Sequence, residues 1–422
     1  MKRSDVIGDA YRPQIQALPR EEIRALQESR LRDLIRRVFD QPVPFFRRKL
    51  ESAGIGPDDV KTLDDLVAVP RTTKQELRDS EAASPPLGDY RGAPLERCVR
   101  LSTSTGTTGR PTIIPFTRHD LEVEYDAAGR SFWRQGYRPG QVITHAHPGG
   151  LNGGQALLGG AIEAFGGVNV AVGPPSTRPE AENAIRLWKE LQPGRYDMMF
   201  GPALHSFWET AREMGIDPEA ELGMAPPQEL PPFRTVSAGI ECFAFLGSAC
   251  GEGRGSHVCE DEAIVEAVDA STGEPVPDGD RGHLVVTSLT KDNFLLRYDL
   301  EDLVRLDRSA CPCGETHLRA FWDGREKDLV RAGGRDLLPM DVWLVLRGFE
   351  EVRYPAVEYQ LVRTADTSSL AVRVEADRPG EALAEGLKEA LRSALQVPVR
   401  LEVLGRGALP RAAYKPTLVV DE

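Results

Sequence analysis

The chain has 422 residues, 41% hydrophobic and 28% charged, which is enough apolar material for a sizeable core spread over two or three domains. Its formal net charge of −13 argues against a nucleic-acid partner held by general electrostatics, and any polyphosphate it binds needs a local basic pocket. No apolar run approaches the roughly 18–20 residues that cross a bilayer, the start MKRSDVIGDAYRPQ lacks a signal peptide's apolar core, and six cysteines in so long a chain make no disulfide scaffold. A cytoplasmic protein without a membrane partner is expected.

In chain order, Ile23, Leu26, Leu31, Leu34, Ile35 and Val38 recur at helical steps and predict a helix from Pro19 to Phe39. A second runs through Phe45–Leu50 and ends near Gly54. The stretch from Leu63 to Lys74 reads as a capped turn leading into a third. These helices read as scaffolding, because most periodic apolar positions are core.

Next comes Ser102-Thr103-Ser104-Thr105-Gly106-Thr107-Thr108-Gly109-Arg110-Pro111. Glycines let backbone N–H groups turn toward one point, hydroxyls add donors without bulk, and Arg110 adds charge. Such a run is suited to the phosphates of a nucleotide. The Walker A spacing is absent. The loop joins Val99-Arg100-Leu101 to a short buried strand, Thr112–Thr117. A helix over His119–Gly136 follows, then the strand Val142–His147, which opens into a glycine-rich loop. The helix Ala156–Phe165, the strand Val168–Val172, the helix Pro179–Leu191 and the strand Tyr196–Phe200 come after it. Strands alternating with helices of this length predict βαβ units and a mainly parallel sheet. Ligands in such sheets bind at strand carboxyl ends, so the loops after Leu101, His147 and Phe200 form the expected rim.

Cys250 and His257 lie on a glycine-rich stretch, and Cys311-Pro312-Cys313-Gly314 makes a tight turn downstream. Together they form a Cys3His set suited to tetrahedral, closed and therefore structural zinc. Cys259 and Cys242 are alternative ligands, and Cys98 reads as a buried thiol. Between the two halves, Ile264–Asp269 and Gly282–Thr287 flank a Pro-x-Gly turn, which predicts a barrel-like antiparallel subdomain. Val357–Val374 and Leu383–Val403 alternate strand and helix, as a compact C-terminal domain should.

The Ser104–Pro111 run resembles the S-S-G-T-T-G-K-P loop of adenylate-forming enzymes, most closely that of the phenylacetate–CoA ligase family. Arg110 replaces the usual lysine with a planar fork. Other stretches follow the family text: Glu260–Thr287, Leu295-Leu296-Arg297-Tyr298-Asp299-Leu300-Glu301-Asp302, Asp323–Pro339 and Leu409–Thr417. The resemblance implies an α/β adenylate-forming fold. Residues 1–323 would be a large adenylation domain, with mainly parallel sheets and the barrel-like subdomain. Residues 324–422 would be a small, mobile α+β domain.

It also implies roles. Ser104, Thr105, Gly106, Thr107, Thr108, Gly109 and Arg110 would hold ATP, with Thr107 close to the chemistry. Asp302 would accept both ribose hydroxyls, because two carboxylate oxygens match a vicinal diol. Glu301 stands where the family has glycine. Arg325 would reach ribose or phosphate, Lys327 would be the hinge, and Lys415 would neutralise charge between carboxylate and α-phosphate. His147, Gly149, Gly150, Gly153 and Gly154 would line the acid pocket. His145 and His147 read as substrate contacts before acid–base groups. Zinc on Cys250, His257, Cys311 and Cys313 matches the family as well.

The sequence departs between Gly201 and Cys250. There the family has a GaEp turn and an aromatic-glycine-x-[ST]-E motif that holds adenine. Here only Thr235–Gly247 fills the space, about thirty residues short, with Ala238-Gly239-Ile240-Glu241 as the remnant. Glu241 is the ATP-site candidate. The implied activity is Mg2+-dependent adenylation of a carboxylic acid, aromatic by the match, followed by transfer to coenzyme A. Transfer to an amine or a carrier protein, or a silent nucleotide-binding homologue, are the alternatives. A monomer or homodimer is expected.

Overall fold

In the computed structural model the described residues are 10–41, 43–103, 111–147, 149–150, 153–175, 177–191, 195–198, 201–222, 235–236, 239–252, 255–353, 357–410 and 417–422. They divide into two compact units. One comprises Met1–Gln141, Pro148–Asn169 and Phe233–Trp322, the other Val142–His147, Val170–Pro232 and Asp323–Glu422.

Among the described residues the first elements are a single helical turn, α1 (Pro13–Gln16), and the long α2 (Arg20–Asp40), whose buried Ile23, Leu31, Leu34, Ile35 and Val38 form the predicted stripe, with Leu26 half-buried beside them. Next come α3 (Pro44–Ser52) and α4 (Lys74–Ala83). The expected cap of α4 is a full capping box: Thr73 accepts from the Glu76 N–H, and Glu76 accepts from the Thr73 N–H. Strand β1 (Cys98–Thr103) pairs antiparallel with β2 (Ile113–Thr117), Thr103 opposite Ile113. A second capping box, Thr117 with Asp120, opens α5 (Arg118–Arg134).

The predicted βαβ alternation follows as β3 (Val142–His145), α6 (Gly154–Phe165), β4 (Val168–Ala171), α7 (Arg178–Leu191), β5 (Arg195–Met198) and α8 (Gly201–Glu213). Strands β3 and β5 are parallel. Trp188 and Phe207 pack with Ala146 and Ile185 in this part of the second unit, and the buried Trp188 indole donates to Thr144 Oγ1 at 2.6 Å.

The rest of the first unit curls around one seven-stranded sheet. Its strands are β6 (Thr235–Val236), β7 (Gly247–Ala249), β8 (Ser256–Val258), β9 (Ala263–Val268), β10 (Gly282–Ser288), β11 (Tyr298–Asp307) and β12 (Arg319–Arg325), in the order β6-β7-β8-β12-β11-β10-β9. The single-turn helix α9 (Gly239–Cys242) lies between β6 and β7. One core joins this sheet to α2 and α3, through Phe46, Phe243, Phe294, Leu34 and Leu284 among others.

The C-terminal part of the second unit has its own core of Val342, Leu361, Val372 and Leu391. It contains the hairpin β13 (Val330–Ala332) and β14 (Arg335–Leu337), α10 (Pro339–Leu346), α11 (Glu350–Arg353), β15 (Tyr359–Arg363), β16 (Leu370–Ala376), α12 (Glu381–Leu395), β17 (Val399–Gly405) and β18 (Val419–Asp421). The last four strands form one sheet, β17-β16-β15-β18.

Candidate active site and metal cluster

The predicted phosphate loop, residues 104–110, and Lys415 lie outside the described residues. The loop's stem is described, and it is the antiparallel β1–β2 pair. At its end Ser102 is buried against Gly153: a side chain at 153 would stand 2.1 Å from Ser102 Oγ and 3.1 Å from the Ile240 Cδ1 methyl. Only glycine permits that approach. Three stretches far apart in sequence therefore meet at one point: strand β1 at Ser102, the glycine-rich stretch at Gly153, and the short helical turn that carries Ile240 and Glu241. Gly149 is less confined, its missing Cβ 2.2 Å from Oε1 at the flexible end of Gln155, and Gly150 has φ +83°. Gly154 opens α6.

Glu241 is held from two sides. The buried Tyr298 hydroxyl donates to its Oε1 at 3.1 Å, and Lys74 Nζ lies 3.4 Å from the same oxygen. Burial, then the Glu241 charge, raises the Tyr298 phenol well above its ordinary value, so it stays a donor. Lys74 comes within reach because Thr72 is stitched to β11: its N–H donates to the Arg297 carbonyl at 2.8 Å, and its carbonyl accepts from Asp299 N–H at 2.9 Å.

Strand β11 carries the expected ribose carboxylate, Asp302, 7% exposed. Glu301, in place of the family's glycine, keeps the left-handed conformation at φ +58°. Its N–H donates to Asp299 Oδ1 at 3.0 Å, which helps hold a geometry that glycine adopts without strain. Asp299 is also paired with Arg71 at 2.8 Å and with His283 Nδ1 at 3.2 Å. Burial opposes its ionisation, but His283, the Glu301 N–H and Arg71 together hold it below the ordinary carboxylate value. A depressed carboxyl stabilises the fold above the free value and loses that contribution as pH falls through the folded value. Arg71→Met is therefore expected to cost about 1–3 kcal/mol near neutrality. Urea unfolding across pH should show this gap closing as pH drops below the ordinary carboxylate range.

In the second unit, His145 is fully buried at the end of β3, and its carbonyl accepts from Val172 N–H at 3.0 Å. Burial and then the neighbouring His145 lower His147 to about 3, so its ring is neutral at ordinary pH and poorly matched to acid–base work. Arg325 ends β12 and Lys327 sits in the exposed 3-10 turn Glu326–Asp328. Arg363 secures that turn by donating to the carbonyls of Lys327 at 2.7 Å and Leu329 at 3.0 Å.

The thiols and imidazole of Cys250, His257, Cys311 and Cys313 converge, their ligand atoms all within 4.8 Å of one another. Cys250 and Cys311 sulfurs are 3.8 Å apart, and Cys313 Sγ is 3.3 Å from His257 Nε2. The β7–β8 hairpin supplies the first two residues, the turn after β11 the others. His257 Nδ1 donates to the His317 carbonyl at 2.8 Å, which leaves Nε2 with its lone pair toward the cysteines. Cys242 and Cys259 are not in this group; both are buried thiols raised to about 12 by burial. Cys98 is half-buried rather than buried, on the strand face opposite the exposed Val99 and Leu101.

Nothing in the sequence alone marks Lys74 or Tyr298 as functional, beyond one signal: a lysine in the first turn of a helix opposes the macrodipole.

No family model matches the chain. It is 34% identical over 445 aligned residues to a phenylacetate–coenzyme A ligase of Thermus thermophilus, covering 95% of this chain and 97% of that protein. A phenylacetate–coenzyme A ligase of Escherichia coli K12 is 27% identical over 431 residues, covering 95% of each. In structure the chain is similar to 2-hydroxyisobutyryl-CoA ligase in the postadenylation state with an acyl-AMP, with a TM-score of 0.86 at 23% identity over 97% of this chain and 92% of that one. The same ligase with 2-HIB-AMP and CoA in its thioesterification state gives a TM-score of 0.69.

Proposed function

The chain belongs to the phenylacetate–CoA ligase family, and from that premise we propose that it adenylates an aromatic carboxylic acid and passes the acyl group to coenzyme A. A carboxylate oxygen of the acid attacks the α-phosphorus of Mg-ATP and pyrophosphate leaves. The thiol of coenzyme A, giving up its proton, then attacks the acyl carbon and AMP departs. The carboxylate is itself the nucleophile, so catalysis is positioning and charge stabilisation. In this reading the 104–110 loop, Glu241, Asp302 and Arg325 hold the nucleotide, with Thr107 and Arg110 nearest the phosphates. Lys415 neutralises the charge that gathers in adenylation. Lys327 is the hinge, and Gly149–Gly154 with His147 shape the acid pocket.

The observation that carries the reading is the meeting of Ser102, Gly153 and Ile240, which brings the stem of the phosphate loop against the pocket loop and the Glu241 turn. The neutral ring of His147 suits contact with an aryl group. The Cys250–His257–Cys311–Cys313 group fits structural zinc. It offers four donors of the right type, a tautomer fixed by the His317 carbonyl, and no open position for a reacting water.

Acid-dependent ATP–pyrophosphate exchange over a panel of aryl and short aliphatic acids tests the reading. Exchange with aryl acids is expected, and Lys415→Ala should lower it at least about a hundredfold, the scale of losing one charge-stabilising donor. Exchange confined to aliphatic acids would remove the aromatic assignment, and silence with every acid would remove adenylation.

A further inference from the structure

Lys74 is placed against its own helix. It occupies the first position of α4, where backbone N–H groups and the macrodipole disfavour a cation, and Thr73 already caps that end. What it faces instead is Glu241, 3.4 Å away, on the oxygen that also accepts from Tyr298. Both contacts fall on Oε1. Among the described residues Oε2 has no hydrogen-bond partner, and it lies 2.7 Å from where a Cβ on Gly239 would be. Gly239 has φ +70°, so both its conformation and the missing side chain leave room for this carboxylate. Glu241 itself lines a small cavity together with Arg91, Phe116, Asp120, Lys291 and Asn293. One oxygen is thus fixed by a phenol and an ammonium, and the other is left to present.

We propose that Lys74 and Tyr298 are positioning residues for the magnesium–nucleotide, clamping Glu241 through Oε1 so that Oε2 is presented to the cation that accompanies ATP. The inference rests on the reading that Glu241 belongs to the ATP site. Groups that orient a metal-binding carboxylate act through it, and losing them costs about tenfold to a hundredfold in metal affinity. Tyr298 supplies a rigid donor. Lys74 supplies a counter-charge that steadies the lone carboxylate until Mg-ATP arrives.

Calorimetric titration of the full chain with ATP in excess Mg2+, ATP in EDTA, and AMP separates the possibilities without knowing the acid. The wild type should bind ATP more tightly with Mg2+. Lys74→Met and Tyr298→Phe should each lose about tenfold of that gain while keeping AMP affinity, and Lys74→Arg should recover most of it. Lys74→Met changes a half-exposed side chain, so it reports even if Tyr298→Phe folds poorly. An unchanged Mg2+ gain in Lys74→Met and in a folded Tyr298→Phe would overturn the inference, as would an equal loss for AMP, which marks a merely structural role. Glu241→Gln is the control. If it keeps the full Mg2+ gain, Glu241 is not in the ATP site, and the underlying reading fails rather than the clamp alone.

Discussion

Replacing Cys313 with serine, or stripping zinc with a chelator, is expected to lower the unfolding midpoint of the first unit and open its N-terminal segment to protease. A bound metal stabilises only the state that holds its ligands together. With free zinc about 1,000-fold above the dissociation constant, that amounts to about 4 kcal/mol. For a unit of this size, each kcal/mol moves the midpoint by roughly 2 °C, so a shift of roughly 8 °C is expected.

The N-terminal effect follows from the geometry of the turn after β11. Beyond Cys311 and Cys313, Thr316 N–H donates to the Gln16 carbonyl at 3.0 Å and its hydroxyl to the Leu18 carbonyl at 2.5 Å. His317 Nε2 lies 3.1 Å from the Ile15 carbonyl, and Arg20 pairs with the buried Glu260. Without a metal the turn would hold α1 less firmly, and trypsin should then cut after Arg20, the Arg12–Pro13 bond being resistant to it. Elemental analysis should find one zinc per chain. Protein purified without zinc, unmoved by chelator and uncut at Arg20, would show that the four residues are not a zinc site.

The second large effect belongs to Arg297. It is 2% exposed, and its guanidinium donates to Glu266 through Nε at 3.1 Å and Nη2 at 2.8 Å, to the carbonyls of Val67 and Val69 at 2.8 Å each, and to that of Gly273 at 3.0 Å. No other side chain offers so many donors in one plane. Burial already raises Glu266, and Arg297 is the first group that works against it. Arg297→Met should destabilise by about 3–5 kcal/mol, because it strands a buried carboxylate. Adding Glu266→Leu should recover a large part of the loss, which a double-mutant cycle from urea unfolding would measure. A single-mutant cost below about 1 kcal/mol would mean that the network is incidental. Lysine is not a substitute, since a point charge cannot serve carboxylate and carbonyls in several directions. Function should follow stability, because Arg297 anchors the strand that presents Tyr298 and Asp302.

The sequence by itself determined whatever depends on short spacing. The α2 stripe, the cap at Thr73, the β1–β2 stem and the β7–β8 hairpin were all legible, because helical period, a hydroxyl three residues before a carboxylate and glycine-rich turns are local physics. The four zinc candidates could also be named from residue type. Residue type alone could not discard the alternatives Cys242 and Cys259, because a thiol is the same residue whether it ligates or fills a core. Proximity singles out Cys250, Cys311 and Cys313, and burial sets Cys242 and Cys259 apart. Glu301 looked like a plain departure from the family's glycine, yet the fold holds it left-handed, with Asp299 two residues earlier accepting its N–H. Only the tertiary structure decided that Ser102, Gly153 and Ile240 touch, and that Lys74 and Tyr298 close on Glu241. Those contacts span between about 50 and 170 residues. No propensity or spacing encodes them, since they exist only once separate elements have packed.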